Sequence, residues 1–178
     1  LRGWTRFSAL QLNYSLVERN CERELAPCAQ ALGMTVTAWS PLAGGLLSGK
    51  YSRDPATRAK QPGRLTTTHW GGNFMNDRNL TIADAAVSVA ARLGCSASQV
   101  AIRWLMQRPG GVIPIVGART VAQLGELLGA SNMQLDAAAL EQLDAASRID
   151  PQYPATVVQS VFGRKMVHGA KIGEVDGL

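Results

Sequence analysis

VTAWSPLAGGLLSGKY, residues 36–51, decides the fold. Its first part belongs to MTVTAWS (34–40), whose β-branched and aromatic residues favour a strand. The apolar character is continuous, which predicts a strand covered on both faces. Ser40-Pro41 ends it: proline cannot donate to a strand ladder and biases the residue before it. Small residues follow, then Gly49-Lys50. A strand that runs out into such a segment is how a parallel α/β sheet presents backbone to a ligand.

Outward from this stretch, strands and helices alternate. RFSALQLNYSL (6–16) reads as a strand. NCERELAPCAQALG (20–33) reads as a helix with Asn20 as N-cap, Glu22 and Glu24 in the first turn and Gly33 just past the end. Pro27 makes that helix start late or bend. Residues 41–76 form a long irregular segment, of the kind that is often functional. TIADAAVSVAARLG is helical and closes at Gly94. SASQVAIRWLMQRPG opens with a capping box, Ser96 to Gln99. GVIPIVGAR is a third strand, and two further helices begin at Thr120 and Asp136. Residues 149–178 form a tail without clear period. The order predicts an α/β fold with a parallel sheet and right-handed crossovers, in one domain over 1–178. Three strands are too few for a closed eight-stranded barrel of about 250 residues, but fit a part of one.

The bulk composition narrows the function. The 178 residues are 46% hydrophobic and 17% charged, the balance of a soluble globular protein. No apolar run is long enough to span a bilayer, and LRGWTRFSAL lacks the apolar core of a signal peptide. The chain does not start with Met, so further residues are expected upstream. Cys21, Cys28 and Cys95 are odd in number and lack C-x-x-C spacing, which points to reduced thiols and the cytoplasm. His69 and His168 have no ligand-spaced partner, so no metal site is expected. The net charge of +5 is scattered, which argues against nucleic acid and leaves an anionic small ligand.

Ligands of parallel α/β folds sit at the C-terminal ends of the strands. Here those ends are Gln11–Tyr14, Trp39–Gly45 and Val116–Arg119. Trp39 either fills core or stacks on a planar ring. Gly44 to Lys50 matches G-x-x-x-x-G-K, a phosphate-cradling pattern, but Tyr51 replaces the Ser or Thr that would hold Mg²⁺. A nucleotide hydrolase is therefore one alternative, and a magnesium-free phosphate loop another. Gly117-Ala118-Arg119-Thr120 opens a helix straight after a strand, where free N–H groups and the Arg119 fork suit a phosphate; the alternative is a capped helix with a solvated Arg.

Together, QLNYSL, TAWSPLAGGLLSGKY and IPIVGARTVAQLGELLGA resemble the C-terminal half of an aldo-keto reductase. The likeness is to the bacterial general-stress and aryl-alcohol dehydrogenase-like members and to the potassium-channel β-subunit group. It covers residues 1–148, and QYPATVV is similar too. The resemblance implies a (β/α)₈ barrel binding NADP(H), the three strands being its last three. It implies that Gln11 holds the nicotinamide amide and Trp39 stacks on the ring. Ser40, Pro41, Leu42, Ala43, Gly45 and Lys50 would line the pyrophosphate path, Arg64 would lie near the phosphates, and 41–76 would act as a clasp. Gly117, Arg119 and Gln123 would take the 2′-phosphate end, and Glu126 the adenine; Leu127 stands where the family often has Asn. The implied partner is a small carbonyl substrate, with Trp70 and the tail on the substrate side.

The family's Tyr, Lys, Asp and His come from the first half of the barrel, and none of Tyr14, Tyr51 or Tyr153 sits in D-x-A-x-x-Y-G. No catalytic residue is assigned in this chain. The resemblance leaves two functions open: the cofactor half of a reductase, or a nucleotide-binding sensor without catalysis. Either way, a part-barrel exposes strand edges and apolar faces, which predicts self-association or pairing with an N-terminal half.

Overall fold

The computed structural model describes residues 3–51, 53, 54, 56, 57, 60, 63–68, 71–158 and 160. Expectations on His69, Trp70 and His168 lie outside them. The chain forms two compact units, Leu1–Arg148 and Ile149–Leu178.

In the first unit, β1 (Ala9–Asn13), β2 (Thr35–Trp39) and β3 (Val112–Pro114) form a parallel sheet in the order β1-β2-β3. Asn13 lies opposite Trp39, and Ala38 opposite Pro114. The three C-terminal strand ends therefore share one edge. The strands are shorter than the apolar runs that announced them.

The crossover from β1 to β2 is a 3-10 turn, Asn20–Arg23, followed by α1, Leu25–Ala31. Asn20 does not cap a helix. Its N–H donates to Glu18 Oε1 at 3.0 Å and its Oδ1 accepts from Arg23 at 3.2 Å. Pro27 is the third residue of α1, where a missing N–H leaves no intrahelical bond unmade. Gly33, at φ +66°, ends the helix: its N–H donates to Gln30 O, and Met34 N–H to Ala29 O at 2.8 Å. These are the two bonds of a Schellman stop.

After β2, a 3-10 segment spans Ala43–Ser48, and two short helices follow, α2 (Arg64–Thr67) and α3 (Gly71–Phe74). The segment expected to be irregular thus carries local structure. Then come α4 (Asp77–Leu93) and α5 (Ala97–Met106), whose axes meet at 99° across Gly94. Asn76 caps α4 through Asn79 N–H, starting it four residues before the apolar pattern suggested. Ser96 and Gln99 form the expected capping box. After β3 come α6 (Val121–Leu128), a 3-10 turn at Gly129–Asn132, and α7 (Ala137–Ala146). Among the described residues, no single helix is long and apolar enough to cross a membrane.

The core lies between one sheet face and the helices. Leu12, Val36, Ala38 and Val112 meet Ile82, Ala86 and Val89 of α4, Val100, Trp104 and Leu105 of α5, and Leu143 of α7. Each such Leu, Ile or Val side chain contributes about 1.5–3 kcal/mol by leaving water. The opposite face is open: Trp39 is 47% exposed, Ile113 56% and Ile115 44%. Within this chain β2 is covered on one face only, where cover on both was expected. An apolar run cannot distinguish a strand covered twice from one whose second face carries exposed Trp and Ile.

In the second unit, α8 spans Ala155–Val158 after a cis Tyr153–Pro154 peptide.

Candidate cofactor-binding site

Side chains alternate between the faces of a strand. With Gln11 opposite Thr37 and Asn13 opposite Trp39, the open face carries Gln11 and Asn13 from β1, Thr37 and Trp39 from β2, and Ile113 from β3. Gln11 and Trp39 thus share one face and its C-terminal end. Asn13 and Thr37 were not singled out from the sequence. Two-residue periodicity counted from Gln11 and Trp39 would have found them.

Beyond Trp39 the chain turns sharply. Ser40 (φ +57°) and Ala43 (φ +48°) hold the left-handed conformation that non-glycine residues rarely adopt, and Ala43 N–H donates to Ser40 O at 2.9 Å. Pro41 and Ala43 are buried as whole residues, so they shape this turn from within. Gly45 lies at φ +95°, and its carbonyl accepts from Ser48 Oγ at 2.7 Å. Lys50 folds back over the segment. Its Nζ lies 4.9 Å from the Tyr51 ring centroid, and a Cβ at Gly45 would stand 3.4 Å from its Cε. Gly49, left-handed at φ +76°, ends the 3-10 segment and no helix starts at Lys50, so the phosphate-cradling strand–loop–helix of nucleotide hydrolases does not form.

Tyr51 is the anchor that sequence reading passed over. It is buried, and its hydroxyl accepts from Leu65 N–H at 3.2 Å. This ties the loop to the start of α2, where Arg64 stands exposed.

The third strand end leads to α6. Ile115 N–H donates to Ala38 O at 2.8 Å, carrying the pairing past Pro114. Val116 packs on a small core of Ile102, Leu127 and Ala130, and Leu42 packs on the same core. The loop after β2 and the head of α6 are therefore held side by side. Arg119 is exposed and three residues beyond Val116, so within about 11 Å of it. Thr120 Oγ1 caps Gln123 N–H at 3.2 Å, while Gln123 Oε1 accepts from Arg119 N–H at 3.0 Å. Gln123 and Glu126 are exposed on α6 and Gly117 on the approach to it. The Glu126 carbonyl accepts from Gln99 Nε2 at 2.9 Å. Leu127 faces the core, not the open side of the helix.

A network of largely buried charge lies just beyond β1 in the chain. Arg19 makes paired bonds to Glu22 at 2.8 and 2.9 Å and reaches Asp144 at 3.0 Å and Ser147 Oγ at 2.7 Å. Asp144 also accepts from Trp104 Nε1 and from Arg108, both at 3.0 Å. The Arg19 and Arg108 guanidiniums lie 5.0 and 4.3 Å from the Trp104 ring centroid. Tyr14, next after β1, donates to Glu22 at 2.7 Å; burial first, then that bond, hold its pKa well above the usual phenol range. Tyr14 and Tyr51 are thus both engaged in holding structure. Among the described residues, no cluster of His, Cys, Asp and Glu could hold a metal ion.

Comparison with known proteins shows the family. The aldo/keto reductase family model matches residues 1–148. The chain is 37% identical to "Uncharacterized oxidoreductase YrpG" of Bacillus subtilis over 75% of the chain and 38% of that protein. It is 31% identical to "Aldo-keto reductase ausK" of Emericella nidulans over 86% of the chain and 38% of that protein. "Aflatoxin B1 aldehyde reductase member 4" of Homo sapiens is 32% identical over 72% of the chain and 43% of that protein. The chain therefore spans about two fifths of the curated relatives it matches. Its parallel sheet, with helices packed on one face, is a part of the (β/α)₈ barrel of that family. The chain belongs to the aldo/keto reductase family.

Proposed function

We propose that this chain supplies the cofactor half of an NADP(H)-dependent aldo-keto reductase, which interconverts aldehydes or ketones with alcohols. The observation that carries the reading is the convergence of three elements on one sheet edge. Gln11 and Trp39 share the open face, and Leu42 and Val116 hold the loop after Trp39 beside the head of α6. In an eight-stranded barrel that open face is the interior, and this edge is where ligands bind.

The donor set suits an elongated dinucleotide. Half-exposed Trp39 offers an aromatic face for a planar ring, and Gln11 an amide for a carboxamide. Arg119, ahead of the N–H groups that open α6, offers a planar cation for a phosphomonoester of about −1.5 to −2 charge. The dinucleotide supplies the hydride when bound. This chain's residues bind and orient it, and orientation removes much of the barrier to a two-reactant step. The proton donor comes from residues outside this chain, so the chain alone binds the cofactor without turning over substrate.

NADPH and NADH titrations followed by tryptophan fluorescence test the reading. NADPH binds tighter than NADH, Trp39→Ala removes part of the signal, and Arg119→Ala weakens NADPH about tenfold or more while sparing NADH. Equal affinity for the two cofactors in the wild-type chain would sink the role of Arg119.

A further inference from the structure

Two rows of side chains cross the open face. Gln11, Thr37 and Ile113 lie abreast, and Asn13 lies abreast of Trp39. Ile115 continues the second row, since its N–H donates to Ala38 O at 2.8 Å. That row is the one nearer the C-terminal strand ends, the edge where ligands of such barrels bind. Interior layers of these barrels are mostly bulky branched residues. Ile115 follows that rule and Asn13 does not. The Asn13 side chain is half-buried and has no hydrogen-bond partner among the described residues, and neither has that of Gln11. An amide left without a partner once the face is closed from water is disfavoured.

Neighbouring strands lie about 4.8 Å apart, so Asn13 stands directly beside Trp39. Two residues of strand, about 6.6 Å, separate it from Gln11 on the same face. A planar ring resting on Trp39 is therefore flanked by two amides of one strand. A primary carboxamide has use for both. It carries two N–H donors and one carbonyl, and a single side-chain amide paired with it edge to edge engages the carbonyl and one N–H. The second N–H needs another acceptor. Asn13 Oδ1 supplies one without bringing a formal charge beside the ring. We propose that Asn13 Oδ1 accepts from the carboxamide N–H of the cofactor, alongside Gln11, and that the two amides together set how the ring lies on Trp39. The inference rests on the cofactor reading and adds to it a residue that reading does not use.

Calorimetric titrations of the 178-residue chain with NADP⁺, with its 3-acetylpyridine analogue and with 2′,5′-ADP test it. The analogue keeps the carbonyl but lacks the N–H groups, and 2′,5′-ADP lacks the ring. Asn13→Leu is close in size and suits an apolar row. It is expected to weaken NADP⁺ about three- to tenfold, the worth of one hydrogen bond, and to leave the other two ligands within about twofold. Unchanged 2′,5′-ADP binding shows that the variant is folded, and Asn13→Ala takes its place should Asn13→Leu not fold. Equal weakening of NADP⁺ and the analogue overturns the proposal, because Asn13 then acts through packing alone. Unchanged NADP⁺ affinity overturns it too; if Trp39→Ala still weakens NADP⁺, the cofactor reading stands and the Asn13 amide serves another strand. A wild-type chain that binds no NADP⁺ overturns the cofactor reading and this inference with it.

Discussion

Leu42 and Val116 pack against the same small core, although one follows β2 and the other β3. Leu127 is the largest contribution of α6 to that core. Leu127→Ala is expected to lower the unfolding free energy by about 2–4 kcal/mol, the range for a buried Leu truncation. It should also weaken NADPH binding, because two loops lose a shared support. Denaturant unfolding and the fluorescence titration measure the two effects. Lost stability with unchanged affinity would show that the two loops are held independently.

Asp144 accepts from Arg19, Trp104 and Arg108. Asp144→Ala leaves two nearly buried guanidiniums without it, and losing one partner of a buried pair costs about 3–5 kcal/mol. Asp144 is itself 37% exposed, which admits water and puts the expected loss near the bottom of that range, about 3 kcal/mol. Asp144→Asn retains one acceptor and should lose less. Urea midpoints of the two variants give the order.

Gly49 and Gly94 are both left-handed, at φ +76° and +65°, but differ in surroundings. A Cβ at Gly49 would stand 2.8 Å from Val87 Cγ2, whereas nothing lies within 4 Å of one at Gly94. Gly94→Ala is expected to cost about 1 kcal/mol, the conformational penalty alone. Gly49→Ala should cost more, by about 1–3 kcal/mol for the added crowding. Equal losses in thermal unfolding would refute the contact.

Burial, with Glu22 and Glu18 adding, pushes the Cys21 thiol up from 9.0 to about 12. The unfolded chain ionises this thiol first, so it releases a proton that the folded chain keeps. Stability is full below pH 9 and declines as pH rises toward 12, by about 1.4 kcal/mol per unit. Cys21→Ala should flatten that alkaline slope against the wild type; an unchanged slope assigns it to other groups.

Much of this fold was legible because caps are local. Ser96, Thr120 and Asp136 each accept from the backbone N–H three residues on, as their spacing announced. Asn20 misled for an equally local reason: Glu18 and Arg23 engage it before a helix can. The strand ends carrying Gln11, Trp39 and Arg119 were found from their order along the chain. The face that Gln11 and Trp39 share was not, because it depends on register, which only the pairing of Asn13 with Trp39 supplies. The left-handed backbone at Ser40 and Ala43 was likewise hidden, since neither residue type announces it.

Those two residues have a consequence for how a guest would be received. A non-glycine residue in this conformation sits about 1–3 kcal/mol above its relaxed state and persists only where its surroundings enforce it. Here Pro41, Ala43, Leu46 and Leu47 are buried around the bend and hold it in that shape. The bend is thus already shaped when an incoming molecule arrives, and association need not freeze it. Placing glycine at 40 and 43 would relieve that strain but free the bend to wander, so association would have to order it and should weaken.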